Sequence, residues 1–451
     1  MKILFVVLRP AYIIHIRKII ISLRKKGNTV EVGFLDSHNK TEFDNGPVEY
    51  LMSETDGVLI RQIPNREDKW TNVVKAVRSV ANYLIYFRDG HKSRSLAVRF
   101  HNKLPYFLLQ LLQAPFVKKI LNSVVGKAVF RYLERVIPED KTILAWLQKN
   151  KPDVVIACPY IFSAVGEIDY VKSAKKLGIP TGAIIPSWDN LTTKGSFHVL
   201  PDTTFVWNDK LASEAIKLHD IPKESIYIAG AFKSDYLFAQ NGSFDKGLFF
   251  DNIGLELNSK YILYLCSSAN ITSDETEFVK QFATTLANSP LTKQLKLVVR
   301  PHPLGTAMWE GFDMENVVVW PLDNVLPDNP SSERDYYYQL KYCEAVVGIN
   351  TSALLEAAIV DKPCVTILSD KYKYTQFGLG HFHHLLNGGF MEISDDLDKA
   401  VAIIANITDG IDSRKVERNK FVKEFIRPHG LNKEVGEITG DYIESMTKSM
   451  S

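Results

Sequence analysis

Cysteine is scarce in this chain. Its four residues, Cys158, Cys266, Cys343 and Cys364, stand far apart among 451, each inside an apolar run. No Cys-x-x-Cys or Cys–His pair has metal-ligand spacing. A disulfide framework and a zinc ribbon are therefore excluded, and buried, reduced thiols in a cytosolic protein are expected. Long apolar runs are missing too. None approaches the ~18 residues that cross a bilayer. The apolar opening, residues 1–8, is too short for a signal peptide, stops at Arg9-Pro10, and reads as a first buried strand. The turn after it, Arg9-Pro10-Ala11-Tyr12, has no glycine fingerprint, which disfavours a site of the NAD type. Repeats and low-complexity tracts are absent as well.

Negative charge is missing from one stretch. Residues 69–135 hold thirteen Lys or Arg against Asp89 and Glu134 alone, a local net charge of +11 in a chain whose total is +2. Charge so one-sided favours a polyanionic partner surface. The rest of the composition, 45% hydrophobic and 24% charged, is that of a folded protein with room for two domains.

What is present is an alternation of strands and helices. A strand over 3–8, a helix over 15–26 and a strand over 29–35 open the chain, with Gly27-Asn28 as helix stop and Asp36 after the second strand. Strands follow over 153–158, 180–185 and 204–207. Residues 226–233 read as the passage into a second half, with strands over 261–265, 295–299, 317–319, 345–347 and 364–368. After Asp396 the pattern is helical. Alternation of this kind argues for parallel sheets, two α/β halves facing across a cleft. The expected division is 1–225, 226–425 and a helical tail over 426–451.

Residues 69–135 interrupt the alternation. Val73, Val77, Val80, Ala81, Leu84 and Ile85 have helical spacing, as do Leu108, Leu111 and Leu112, then Val117, Ile120, Leu121, Val124 and Val125. Pro105 and Pro115 divide the stretch into separate helices. Its interleaved aromatics (Tyr83, Tyr86, Phe87, Phe100, Tyr106, Phe107, Phe116, Phe130) suit a membrane interface. A packed insert with a solvated face and a nucleic-acid surface are the other readings. The long aliphatic runs favour lipid, and no nucleic-acid partner is expected.

The chemistry gathers at strand ends. Arg300-Pro301-His302-Pro303 follows one strand, its two prolines fixing the backbone around the imidazole. Asn350-Thr351-Ser352 follows another and opens a helix in which Glu356 lies one turn inside. Open α/β sheets bind ligands at such ends. A cationic Arg–His pair with hydroxyls at a helix start suits a phosphate, although Thr351 or Ser352 can equally be a plain helix cap. Glu356 could accept from ribose hydroxyls or be an ordinary first-turn acid. Ser267 and Ser268 after the strand over 261–265, and Lys233, are further donor-side candidates. In the first half, Trp188 could stack on a sugar, Asn190 could hold an acceptor, and Asp189 or Glu167 could take a proton. The competing reading of Asp189 and Asn190 is a turn bonded to its own backbone. His381, His383 and His384 have no carboxylate at familiar spacing, so no metal site is expected.

These motifs resemble the two-Rossmann-domain glycosyltransferases, the GT-B fold. The nearest branch is the bacterial one of CDP-glycerol glycerophosphotransferases, capsule Kdo transferases and sialyltransferases. The resemblance covers most of residues 145–400 and rests on Arg300-Pro-His-Pro303, Gly348-Ile-Asn-Thr-Ser352 and Leu354-Leu-Glu-Ala-Ala-Ile-Val-Asp-Lys-Pro363. It implies that His302-Pro303 and Thr351-Ser352 hold a nucleotide phosphate. Glycerophosphotransferases typically read Thr-Asp-Tyr-Ser-Ser at the second motif, and nucleotide-sugar 2-epimerases an Asp-Ser-Gly-Gly-type loop; this chain has neither. The implied function is metal-independent transfer from a nucleotide sugar, a substrate rather than a cofactor, to a glycan or lipid-linked acceptor. An epimerase-like isomerase, a glycerophosphotransferase and a non-catalytic membrane-docked assembly protein remain the alternatives.

Overall fold

Runs that are apolar at every position, such as Ile3-Leu4-Phe5-Val6-Val7, need helices on both faces, and parallel sheets supply them. The computed structural model describes residues 1–35, 46–88, 93–101, 104, 106–162, 164–240, 245–323 and 326–447. Asp36, Asp89, Lys92, Lys103, Pro105 and Ser163 lie outside the described residues. The chain divides into two units, Met1–Lys233 with Arg427–Ser451, and Ser234–Ile426.

The first unit is built on a seven-stranded sheet: β1 (Lys2–Val7), β2 (Thr29–Phe34), β3 (Leu59–Gln62), β4 (Val154–Cys158), β5 (Thr181–Ile184), β6 (Thr203–Val206) and β7 (Ile226–Ile228). Its order is β3-β2-β1-β4-β5-β6-β7, with every pair parallel. The second unit has six strands: β8 (Tyr261–Leu265), β9 (Lys296–Arg300), β10 (Val317–Val319), β11 (Ala345–Gly348), β12 (Cys364–Ile367) and β13 (Met391–Ser394). Their order is β10-β9-β8-β11-β12-β13, again all parallel. In both sheets the strand order reverses beside the first strand, between β1 and β4 and between β8 and β11. A ligand crevice belongs at the carboxyl ends there.

Three differences from the sequence reading have plain causes. Residues 226–228 are not a passage but the edge strand β7, paired with β6, so the first unit runs on to Lys233. Strand β13 was not anticipated, because Met391-Glu-Ile-Ser alternates in polarity and is half exposed. The helix Val435–Ser445 is no separate tail. It packs on the helix Ile13–Lys25 of the first unit. Gly436 makes that approach possible, since a Cβ there would lie 2.6 Å from the Lys18 backbone. Asn28 Nδ2 donates to Glu444 Oε1 at 2.7 Å, and Lys26 pairs with Asp441.

The basic insertion is helical, as expected: Thr71–Leu84, Arg94–His101, Tyr106–Gln113, Pro115–Asn122 and Val124–Val136. A buried ionic network ties it to the sheet. Arg78, fully buried, donates to Glu134 at 2.9 and 2.7 Å, to Asp169 at 3.2 and 3.1 Å, and to the Ala164 carbonyl at 2.9 Å. Arg66 Nη1 also reaches Asp169, at 3.1 Å, and Lys172 reaches Glu134, at 3.1 Å. Burial alone would raise the pKa of Glu134, but Arg78 and Lys172 outweigh it and hold the carboxyl down to about 2.

Two predictions follow from this packing. Gly436→Val should cost about 1–3 kcal/mol by overpacking, read as a lower urea midpoint at unchanged slope; an unaltered midpoint would separate the two helices. Acid should also unfold the protein early. Burial holds His15 and His198 down to about 3 and His219 to about 4. With Glu134, all four have folded values below their unfolded ones, so the unfolded chain binds more protons and stability is lost as the pH falls. The histidine loss begins near pH ~6.5 and that of Glu134 near ~4.3. The urea midpoint should thus decline between about pH 7 and about pH 5, less steeply in His198→Gln. A flat profile would overturn the buried neutral histidines.

Candidate functional site

Carboxyl-end loops of the second unit carry the donor-side motifs, and the sheet brings them together. Ser267 follows β8, Arg300 ends β9 and Asn350 follows β11, three adjacent strands at the reversal point. Gly348 lets β11 end close to β8, because a Cβ there would lie 3.2 Å from the Leu265 carbonyl oxygen. The Asn350 amide donates to Ser267 Oγ at 3.5 Å, and its side chain donates to the Thr375 carbonyl at 2.6 Å. Glu275, buried ahead of the helix Thr276–Asn288, accepts from the Ser267 amide and the Tyr264 hydroxyl, both at 2.7 Å. The reversal point is therefore rigid and lined with small polar groups.

Arg300 is the unusual member. It is 7% exposed, yet among the described residues no carboxylate pairs with it. Among the described residues its one hydrogen bond goes from Nη1 to Gln339 Oε1 at 2.6 Å, and its guanidinium carbon sits 4.6 Å from the Tyr336 ring centroid. The Tyr336 hydroxyl in turn donates to Glu356 Oε2 at 2.6 Å. Burial lowers the Arg300 pKa while the field of Tyr336, Tyr236, Glu356 and Asp323 opposes it. A buried guanidinium without an anion is costly, and five donors suit a phosphate.

The expected cationic Arg–His pair is corrected. Burial lowers the pKa of His302, so the imidazole is neutral at pH 7. Its Nδ1 accepts from the Leu304 amide at 3.2 Å, which leaves the proton on Nε2 as a donor. The helix after Asn350 is Ala353–Ile359, only seven residues, and Thr351 Oγ1 caps it by accepting from the Ala353 amide at 3.3 Å. Ser352 is exposed beside it, and Ser268 is half-buried in a turn closed by Ile271 and Thr272. Glu356 Oε2 is engaged by the Tyr336 hydroxyl, which ties this carboxylate to the tyrosine that faces Arg300. Lys233 belongs to the first unit, where its charge depresses His15.

In the first unit the turn reading prevails for most of 186–195. Asn190, 2% exposed, accepts from the Ser187 amide at 3.0 Å and donates to Asp189 Oδ1 at 3.1 Å. Asp189 also accepts from Ser187 Oγ at 2.6 Å and Thr193 Oγ1 at 2.8 Å. Trp188 is 3% exposed, so its ring is core and cannot stack on a sugar. Glu167 is fully buried at the start of the helix Glu167–Lys176, which removes it as a solvent-facing base. Asp189 remains half-buried. Its charge acts on Tyr12 and His15, whose ring centroids are 6.2 Å apart at the β1 end. His15 is largely buried, and its Nδ1 has no hydrogen-bond partner among the described residues. Sequence reasoning missed it because Ile13-Ile14-His15-Ile16 reads as a core helix face; only the position just after β1 marks it. His381 is 5% exposed, and no three His, Cys, Asp or Glu among the described residues form a metal-holding group.

No family model matches this chain, and no curated protein matches it. Solved structures do. A Neisseria meningitidis UDP-GlcNAc 2-epimerase bound to UDP-GlcNAc is 14% identical, with a TM-score of 0.55 over 98% of this chain and 100% of that one. A Staphylococcus aureus MnaA–UDP structure is 12% identical, TM-score 0.54, over 100% and 96%. A Rickettsia africae glycosyltransferase is 12% identical, TM-score 0.53, over 100% and 99%. At such identities the likeness defines the fold: two Rossmann-like domains of the GT-B class, with a basic helical insertion in the first.

Gln339→Leu tests the Arg300 geometry. Removing this acceptor from a buried guanidinium should cost about 1.5–3 kcal/mol, read as a lower urea midpoint. An unchanged midpoint would mean that Gln339 does not hold the arginine.

Proposed function

We propose that the protein is a glycosyltransferase that moves a sugar from a nucleotide-activated donor to a cell-surface glycan or lipid-linked acceptor. It would act in polysaccharide assembly at the cytoplasmic face of a membrane, in the branch of glycerophospho-, Kdo and sialyltransferases. One observation carries the reading: Arg300, buried and without a carboxylate partner among the described residues, ends β9 next to the end of β8, where Ser267 meets Asn350 at the sheet's reversal point. Arg300 would bind the donor phosphates, with Ser267, Ser268, Asn350, Thr351 and Ser352 lining the approach. His302 would donate through Nε2 to the departing phosphate oxygen. No resident metal is assigned to the reaction, since these donors can meet the developing charge. Asp189, which unlike Glu167 stays partly exposed, would be the proton acceptor, with His15 in its field.

Likeness to UDP-GlcNAc 2-epimerases supports a second reading, interconversion of a nucleotide sugar without an acceptor. Thermal-shift panels with CMP, CDP, UDP, GDP and ADP locate the donor site. One nucleotide should raise the apparent stability. In His302→Ala, and in Arg300→Lys, binding should weaken roughly 10–100-fold, the loss of a hydrogen bond to a charged group. A response to no nucleotide, or an unaltered one in both variants, would sink the donor site. The matching nucleotide sugar then separates the readings: epimerisation of donor alone would replace transfer by isomerisation.

A further inference from the structure

The helix Val124–Val136 is turned inside out. Glu134 faces inward to Arg78 and Lys172, and Lys127 pairs with Asp220 at 2.9 Å. Its apolar residues Val125, Val129, Tyr132 and Val136 recur at i, i+4, i+7 and i+11, one stripe of a helix, and all four are exposed. The preceding helix Pro115–Asn122 adds Phe116 and Ile120, 67% and 58% exposed. Lys119, Arg131 and Arg135 are exposed among them. Residues 93–136 contain a single carboxylate, Glu134, and it is buried. Apolar residues contiguous on a surface call for a cover, and this one presents cations alone with them.

We propose that this face, the outer side of helices Pro115–Asn122 and Val124–Val136, docks on a bilayer surface rich in anionic phospholipid. The aliphatic side chains enter the acyl boundary while Lys119, Arg131 and Arg135 meet the phosphates. Charge selects this occupant. A second copy of the chain would bring cations against cations. Single-stranded nucleic acid stacks on aromatic platforms, whereas the exposed apolar residues of this face are mostly aliphatic, Ile120, Val125, Val129 and Val136 against Phe116 and Tyr132. The proposal is independent of the donor chemistry. It names the surface by which an enzyme using a lipid-linked acceptor would reach it.

Co-sedimentation of the full chain with vesicles tests it. Binding to phosphatidylcholine vesicles containing phosphatidylglycerol should exceed binding to phosphatidylcholine alone by about tenfold or more, and should fall as salt screens the cations. The double variant Val125→Asp, Val129→Asp should lose most of it, and Arg131→Glu with Arg135→Glu should remove the lipid selectivity. All should keep the far-ultraviolet circular dichroism and the nucleotide-induced thermal shift of the parent, so a failure here is distinct from a failure of the donor site. Equal binding to neutral vesicles, no binding to either, or dissociation of a soluble oligomer by the aspartates would overturn the proposal.

Discussion

The first unit depends on a charge buried with its partners. Arg78 lies in the helix Thr71–Leu84, Glu134 at the end of Val124–Val136, and Asp169 in the helix after β4. Together with Arg66 and Lys172 they form a buried cluster in which nearly every donor has an acceptor. Such clusters contribute little net stability compared with an apolar replacement, yet removing one member is costly, about 3–5 kcal/mol. Their effect here is to fix orientation. Glu134 must face inward, so the helix that carries it has no rotation that also buries Val125, Val129 and Val136. Asp169 in addition accepts from the Gly166 amide at 3.1 Å, which fixes the turn at the carboxyl end of β4. One cluster therefore sets both an outward apolar face and a strand-end loop.

The second unit shows the opposite arrangement. Among the described residues Arg78 makes five hydrogen bonds, four of them to carboxylates, and Arg300 makes one, to a neutral amide. Both side chains are buried to a similar degree, so the difference lies in compensation, not in solvent. A guanidinium kept from water and left short of acceptors is destabilised until an anion arrives, and that shortfall becomes binding energy when it does. The Tyr336 face, with its hydroxyl held by Glu356, softens the cost without supplying a full negative charge at hydrogen-bonding distance.

Much of the fold was legible because doubly covered strands are apolar at consecutive positions; β1, β4, β8, β9, β11 and β12 all read that way. The edge strands were harder. Leu59-Ile-Arg-Gln and Met391-Glu-Ile-Ser lean half on solvent, and β7 was read as a connection because its partner β6 is identified only by pairing. Placement of the last helix turned on a glycine approach that no periodicity reports. At the site, position was readable and direction was not. Ser267, Arg300, His302 and Asn350 were found because strand ends are where ligands bind. Trp188 and Asn190 were assigned to an acceptor, but a turn decides where side chains go, and that turn sends them into the core. His302 was expected as a cation because sequence shows the residue and not its burial.

On the proposed reading the neutrality of His302 is an advantage. A permanent positive charge attracts the donor phosphates in the ground state as well as in the transition state, and interactions equal in both accelerate nothing. Arg300 has that role and suits binding. A neutral N–H bonds weakly to a diphosphate oxygen whose charge is still shared, and more strongly once the sugar bond lengthens and charge gathers on that oxygen. Burial, which takes the proton from one nitrogen of His302, and the Leu304 amide, which fixes it on the other, together prepare such a donor. The same burial at Arg300 cannot remove the proton, so two residues at the end of one strand, β9, subject to one physical constraint, offer a fixed charge for binding and a neutral donor for the step.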